Sequence, residues 1–256
     1  MHGQISNKQI KDINSVLEVN NNLCFPIFNS DNSMSVYVRE RLLSIANFVV
    51  DLISPFFLDF KLYDIVLGGS ICSYTYNKDS DLDIFIIISD IKMDNHKLNF
   101  KLTDFLTKYI LQQNFFPLIY SRKVDIKIKC VSQYRKGVCT YSLLNKSWIS
   151  EPYKGSYNFT PQQLWASYQY FETNIKQIAD KISGTEKYLT LEGCEKLNNL
   201  LTNIKLETYA EKEQDILHEY SLKYNVYRLA QYFELFKKYE NFIMISTQKD
   251  ERKKHE

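Results

Sequence analysis

Leu67-Gly68-Gly69-Ser70 is followed, after ten residues, by Asp81-Leu82-Asp83-Ile84-Phe85-Ile86. Asp81 and Asp83 stand two apart in a stretch that reads as a strand, which puts both carboxylates on one face. Leu82, Ile84 and Ile86 then point to the opposite, buried face. Asp125 lies in a further strand-like stretch, Lys123 to Cys130, with Val124, Ile126 and Ile128 facing away from it. Three carboxylates on one sheet face repel one another, and divalent cations remove that repulsion. Hard oxygen donors suit Mg²⁺ or Mn²⁺, and two such ions can orient a hydroxyl and a triphosphate for in-line displacement.

The glycines carry a second kind of chemistry. They let the chain turn sharply and let a phosphate approach the backbone. A helix starting at Ile71 would aim its free N–H groups at that phosphate, and Ser70 would add a hydroxyl donor. The pattern is not a P-loop, because G-x-x-x-x-G-K-[ST] is absent. Residues 122–136 hold Arg122, Lys123, Lys127, Lys129, Arg135 and Lys136 against the single acid Asp125, with Tyr120 and Tyr134 at the ends. Such a rim could hold a triphosphate or an RNA strand, and a solvated strand face is the plainer account. Lys127 and Lys129 share the face of Asp125 and are the better candidates for phosphate.

The elements that must position these groups alternate. Ile10, Ile13 and Leu17 predict a short N-terminal helix, and residues 35–53 predict a helix stopped by Pro55. Asp64 to Leu67 predicts a buried strand, Asp81 to Ile88 a second, residues 96–112 a helix, and Lys123 to Cys130 a third strand. Strands interleaved with helices give an α+β fold, a small mixed sheet packed by helices. All five prolines lie at or before Pro161, and the 95 residues after it hold two glycines, Gly184 and Gly193. A stretch so free of breakers reads as an all-α domain. Thr160-Pro161-Gln162-Gln163 predicts a capped helix start, and Gly184 its stop.

We therefore expect a domain over residues 1–158, a helical bundle over 159–248 and a charged, frayed tail over 249–256. Leu222, Val226, Leu229, Phe233 and Phe236 form a heptad-like stripe. It fits a core-facing helix better than a seam joining a homodimer through the C-terminal helices.

Composition excludes other classes. The chain has 256 residues, 45% of them apolar, which argues against disorder. No apolar stretch approaches the ~20 residues that span a bilayer. The first residues do not read as a signal peptide. Five cysteines without C-x-x-C predict reduced, buried thiols and a cytoplasmic, reducing compartment. The four histidines form no triad or metal spacing, and His96 and His218 read as surface residues.

The segment from about residue 60 to 130 resembles the DNA polymerase beta-like nucleotidyltransferase superfamily. The resemblance rests on the Gly-Ser turn, the Asp-x-Asp strand beginning eleven positions after Ser70, and the later carboxylate Asp125. The wording Ser80-Asp81-Leu82-Asp83 is similar to the minimal, aminoglycoside-type and noncanonical poly(A) polymerase branches. It implies that Gly68, Gly69 and Ser70 hold nucleotide phosphates. Asp81 and Asp83 would bind both metal ions, and Asp125 would bind the catalytic ion and help activate the acceptor hydroxyl. The implied reaction moves a nucleoside monophosphate from an NTP, ATP favoured, to a hydroxyl and releases pyrophosphate. An RNA 3′ end is the leading acceptor, with a small-molecule hydroxyl as the alternative and a catalytically silent nucleotide-binding protein as another. The resemblance also implies a cleft with the helical domain, into which Lys176, Lys181 or Lys187 could reach. Tyr74 stands where many relatives have glycine. The Arg-Asp pair of bacterial-type CCA-adding enzymes is missing.

Overall fold

The computed structural model describes residues 6–57, 59–90, 96–112, 117–134, 137–184, 188–214 and 218–253. They fall into two compact units, Glu18–Lys154 and Met1–Leu17 with Gly155–Glu256.

The first unit is a mixed sheet. Its strands are β1 (Leu62–Gly68), β2 (Leu82–Ile88), β3 (Leu118–Ile119), β4 (Arg122–Cys130), β5 (Thr140–Ser142) and β6 (Ser147–Ser150), in the order β3-β4-β2-β1-β5-β6. β2 and β4 run parallel and every other pair is antiparallel. A parallel pair needs a crossover, and α3 (His96–Gln112) supplies it between β2 and β4. The alternation expected on β2 and β4 is present. Leu82, Ile84, Ile86, Val124, Ile126 and Ile128 are buried in one core with Val38, Leu42, Ala46 and Val49 of α2 (Val36–Ile53). A 3₁₀ turn at Ser54–Phe56, carrying Pro55, ends α2. β3, β5 and β6 are too short and irregular to have announced themselves as periodic segments.

The expected helix after the glycines is only a 3₁₀ turn, Ser70–Cys72. The Ser73 hydroxyl donates to Ser70 O at 3.0 Å and lies 2.9 Å from Thr75 Oγ1. Such side-chain bonds compete with helix propagation, and Ser73 is already extended. A turn this short brings no helix dipole, so that part of the expectation falls away.

The second unit is helical: α1 (Asn7–Val16), α4 (Pro161–Ser183), α5 (Leu191–Gln214), α6 (Leu222–Tyr232) and α7 (Leu235–Lys253). Thr160 and Gln163 form the expected capping box, and Gly184 ends α4 at φ +61°. The N-terminal helix, grouped by sequence with the sheet, packs here instead. Ile13 and Val16 are buried with Leu164, Leu229 and Phe236, and Tyr232 Oη donates to Asp12 Oδ1 at 3.1 Å. An amphipathic helix of ten residues is stable only where its apolar face finds a core, and this one finds its core far along the chain.

The heptad-like stripe does not run along one helix. Glu234 takes a left-handed backbone, φ +54°, and separates α6 from α7. Val226, Leu229 and Phe236 are buried in this unit's own core, with Leu222 and Phe233 packed against it. The tail expected to fray is helical through Lys253. Its Lys, Glu and Arg are good helix formers. His218, expected at the surface, is buried beside the Tyr224 ring, with centroids 5.2 Å apart. It lies in a 3₁₀ turn that folds back onto α6. All five cysteines are buried and none is in a disulfide. His2, His255, Arg135, Lys136 and Lys187 lie outside the described residues. No described helix is long and apolar enough to cross a membrane.

Candidate metal centre

β1 ends at Gly68, which pairs in register with Asp83 on β2. Gly69 follows at φ +82°. A Cβ there would lie 2.3 Å from Asp83 Oδ2. Both the backbone angle and the approach of the carboxylate therefore demand glycine.

Asp83 is paired directly with Asp125 on β4. Side chains on paired residues of adjacent strands share a face. Asp81, immediately before β2, adds the third carboxylate. One oxygen from each of the three lies within 4.8 Å of the others. Among the described residues this is the single group of three or more His, Cys, Asp or Glu that could converge on one ion. All three are half-buried, between core and solvent.

The cluster is electrostatically tense. Burial raises the pKa of Asp81 above its ordinary value, and the neighbouring Asp83 and Asp125 charges raise it further. The site answers in part with its own cation. Lys127 Nζ is 2.6 Å from Asp83 Oδ1 and 3.2 Å from Asp125 Oδ2. Burial alone would lower the Lys127 pKa, but the two carboxylates outweigh it and hold it above the usual lysine range. The same ammonium lies over the Phe85 ring, 5.5 Å from its centroid. Lys123 Nζ lies 3.7 Å from Asp125 Oδ1. Lys129 is two residues beyond Lys127, paired in register with Ile87.

The loop leading to Asp81 is held from two sides. Ser70 Oγ and Ser80 Oγ are 2.8 Å apart, which joins the glycine turn to that loop. Asn77 N also donates to Ser80 Oγ at 3.0 Å. Asp79 N donates to Asn77 Oδ1 at 2.9 Å, an Asx turn. From the other side, Arg122 Nη1 donates to the carbonyls of Ser80, Asn77 and Lys78 at 2.6, 3.0 and 3.3 Å. Arg122 is thus a loop anchor, where the basic stretch had suggested a phosphate rim. Its acceptors lie more than forty residues away, so no local pattern marks it.

The remaining expectations are placed as follows. Tyr120 is exposed at the β3–β4 turn, 6.0 Å between ring centroids from exposed Tyr37. Tyr74 is built into the fold: its carbonyl accepts from Asn20 N at 2.8 Å and from Asn20 Nδ2 at 3.2 Å. Lys176 and Lys181 are exposed on α4.

Hard carboxylate donors, close convergence and a repulsion at Asp81 that Lys127 offsets only in part fit a divalent cation. Asp81, Asp83 and Asp125 are the residues that would hold it. No protein-family model matches the chain, and no curated protein matches it.

Proposed function

We propose that this protein is a metal-dependent nucleotidyltransferase that moves a nucleoside monophosphate from an NTP to an acceptor hydroxyl and releases pyrophosphate. One observation carries the reading: Asp81, Asp83 and Asp125 converge within 4.8 Å beside a glycine turn whose Gly68 is paired with Asp83. The resemblance to the polymerase beta-like superfamily rests on the same residues. Phosphoryl transfer asks the protein mainly to position groups and stabilise charge. Bound Mg²⁺ or Mn²⁺ would neutralise the triphosphate and lower the pKa of the acceptor hydroxyl. The chain's own part is to aim three carboxylates at one point, and to offer beside them the part-exposed turn Gly69-Ser70 to phosphate oxygens, Gly68 itself being buried against Phe85. Asp125 is the carboxylate assigned to the acceptor hydroxyl. The leading acceptor is an RNA 3′ end, and a small-molecule hydroxyl is the alternative.

One observation favours a second reading, a silent nucleotide-binding protein. Lys127 already places a positive charge between Asp83 and Asp125.

The test is turnover of each α-labelled NTP with Mg²⁺ or Mn²⁺ and cellular RNA, beside the Asp81→Ala/Asp83→Ala variant. Label entering RNA only with the intact protein supports transfer to RNA. Pyrophosphate release that needs a small-molecule extract supports the alternative acceptor. Metal-dependent NTP binding without turnover supports the silent reading.

A further inference from the structure

We propose that Arg122 is a positioning residue that sets Asp81 in register with Asp125. The inference rests on the reading of the three aspartates as a metal centre.

The sheet ladder fixes only two of the three carboxylates. Asp83 and Asp125 are paired residues inside β2 and β4, and the first pair of that ladder is Leu82 with Val124. Asp81 lies one residue before the ladder, at the end of the 77–80 loop. Lys78 and Asp79 of this loop are exposed, and surface loops keep more backbone freedom than the strands they join. The shortest Arg122 bond, 2.6 Å, goes to Ser80 O. That oxygen belongs to the peptide group joining Ser80 to Asp81. The guanidinium therefore grips the very plane from which the Asp81 side chain departs.

Arg122 is also the first residue of β4, three before Asp125 on the same strand. One rigid element thus carries both Asp125 and the clamp on Asp81. The bonds to Asn77 O and Lys78 O gather the rest of the loop on the same nitrogen. The Cys24 thiol also faces this guanidinium. The Nη1 end of this side chain is spent on the protein's own carbonyls rather than on a phosphate. All three bonds leave one nitrogen, so a lysine ammonium could make some of them, but from a more mobile stem of different shape.

The experiment is a Mn²⁺ titration followed by electron paramagnetic resonance, with hydrogen exchange on the same metal-free samples. Wild type, Arg122→Ala, Arg122→Lys and Asp81→Ala/Asp83→Ala are compared. Arg122→Ala should weaken Mn²⁺ binding by about ten- to a hundredfold, the range for groups that orient metal ligands. Arg122→Lys should recover part of that loss. Amides of residues 77–82 should exchange faster in Arg122→Ala while those of β1 and the middle of β4 keep their protection.

Unchanged Mn²⁺ affinity in Arg122→Ala would overturn the proposal. So would faster exchange across the whole sheet, the mark of a merely structural role. If the wild type holds no Mn²⁺ that the double aspartate variant loses, the metal reading itself fails. Exchange at 77–82 then decides whether Arg122 holds the loop at all.

Discussion

Lys127 Nζ lies 2.6 Å from Asp83 Oδ1 and reaches Asp125 from the same position, so the acidic cluster carries its own counter-cation. Both partners are part-exposed, with side-chain exposures of 42% and 18%. That argues for a modest contribution to stability. Its larger consequence is for metal binding, because an ion entering between Asp83 and Asp125 must compete with the ammonium.

Lys127→Met should therefore lower the melting temperature of metal-free protein, by an amount corresponding to about 1 kcal/mol. It should also bind Mn²⁺ more tightly than wild type. Thermal melts with and without Mn²⁺ check both, since a ligand that binds only the folded state raises the melting temperature in proportion to its affinity. A variant that gains no more from Mn²⁺ than wild type would show that the lysine does not stand in the ion's place.

Gly69→Ala should weaken metal binding and cost about 1–3 kcal/mol of stability, the usual range for a side chain forced into a left-handed backbone. The new methyl would collide with Asp83 Oδ2. Gly184→Ala is the matched control. Its φ is +61°, yet nothing lies within 4 Å of the added Cβ. It should cost stability and leave Mn²⁺ affinity intact.

The raised pKa of Asp81 predicts a pH dependence with a definite sign. Protons should begin to displace the metal at a pH above the ordinary aspartate value of 3.8. For the metal-free protein the folded pKa exceeds the unfolded one. The stability linked to Asp81 is then fully present below the unfolded value and is lost as pH rises through the folded one. Asp81→Asn should consequently stabilise metal-free protein at neutral pH and give no gain in acid. Denaturant midpoints measured over that range would check it, and a uniform gain at every pH would contradict it.

Burial pushes the Tyr157 phenol up to about 12. Its linked stability is present below the unfolded value, about 10, and is lost as pH rises through the folded one. Burial moves Tyr168 in the same direction. Unfolding followed between neutral and strongly alkaline pH should show this loss, and Tyr157→Phe should remove part of it.

Much of the sheet's inner frame was legible because its signals are local. Apolar alternation marks β2 and β4, helical spacing marks α2, and Thr160 with Gln163 marks the start of α4 through bonds three residues apart. The candidate site was legible for the same reason: a spacing of two marks Asp81 and Asp83 as a pair, although Asp81 lies one residue before β2 and the 77–80 loop carries it. The alternation around Asp125 names its face, although only strand pairing sets it opposite Asp83.

Tertiary structure decided what depends on distant partners. Ile13 and Val16 suit any core, and only packing assigned α1 to the helical unit. The apolar stripe from Leu222 to Phe236 looks continuous, yet the left-handed backbone of Glu234 divides it. His218 carries no sign of burial in its neighbours. Arg122 and Lys127 both read as rim cations. One grips a loop more than forty residues earlier, and the other bridges aspartates on two strands. Amino-acid type and short spacing set which groups can do chemistry and which face they occupy. The partners a long charged side chain meets are set by chain crossings that bring remote segments together, and no local pattern encodes those.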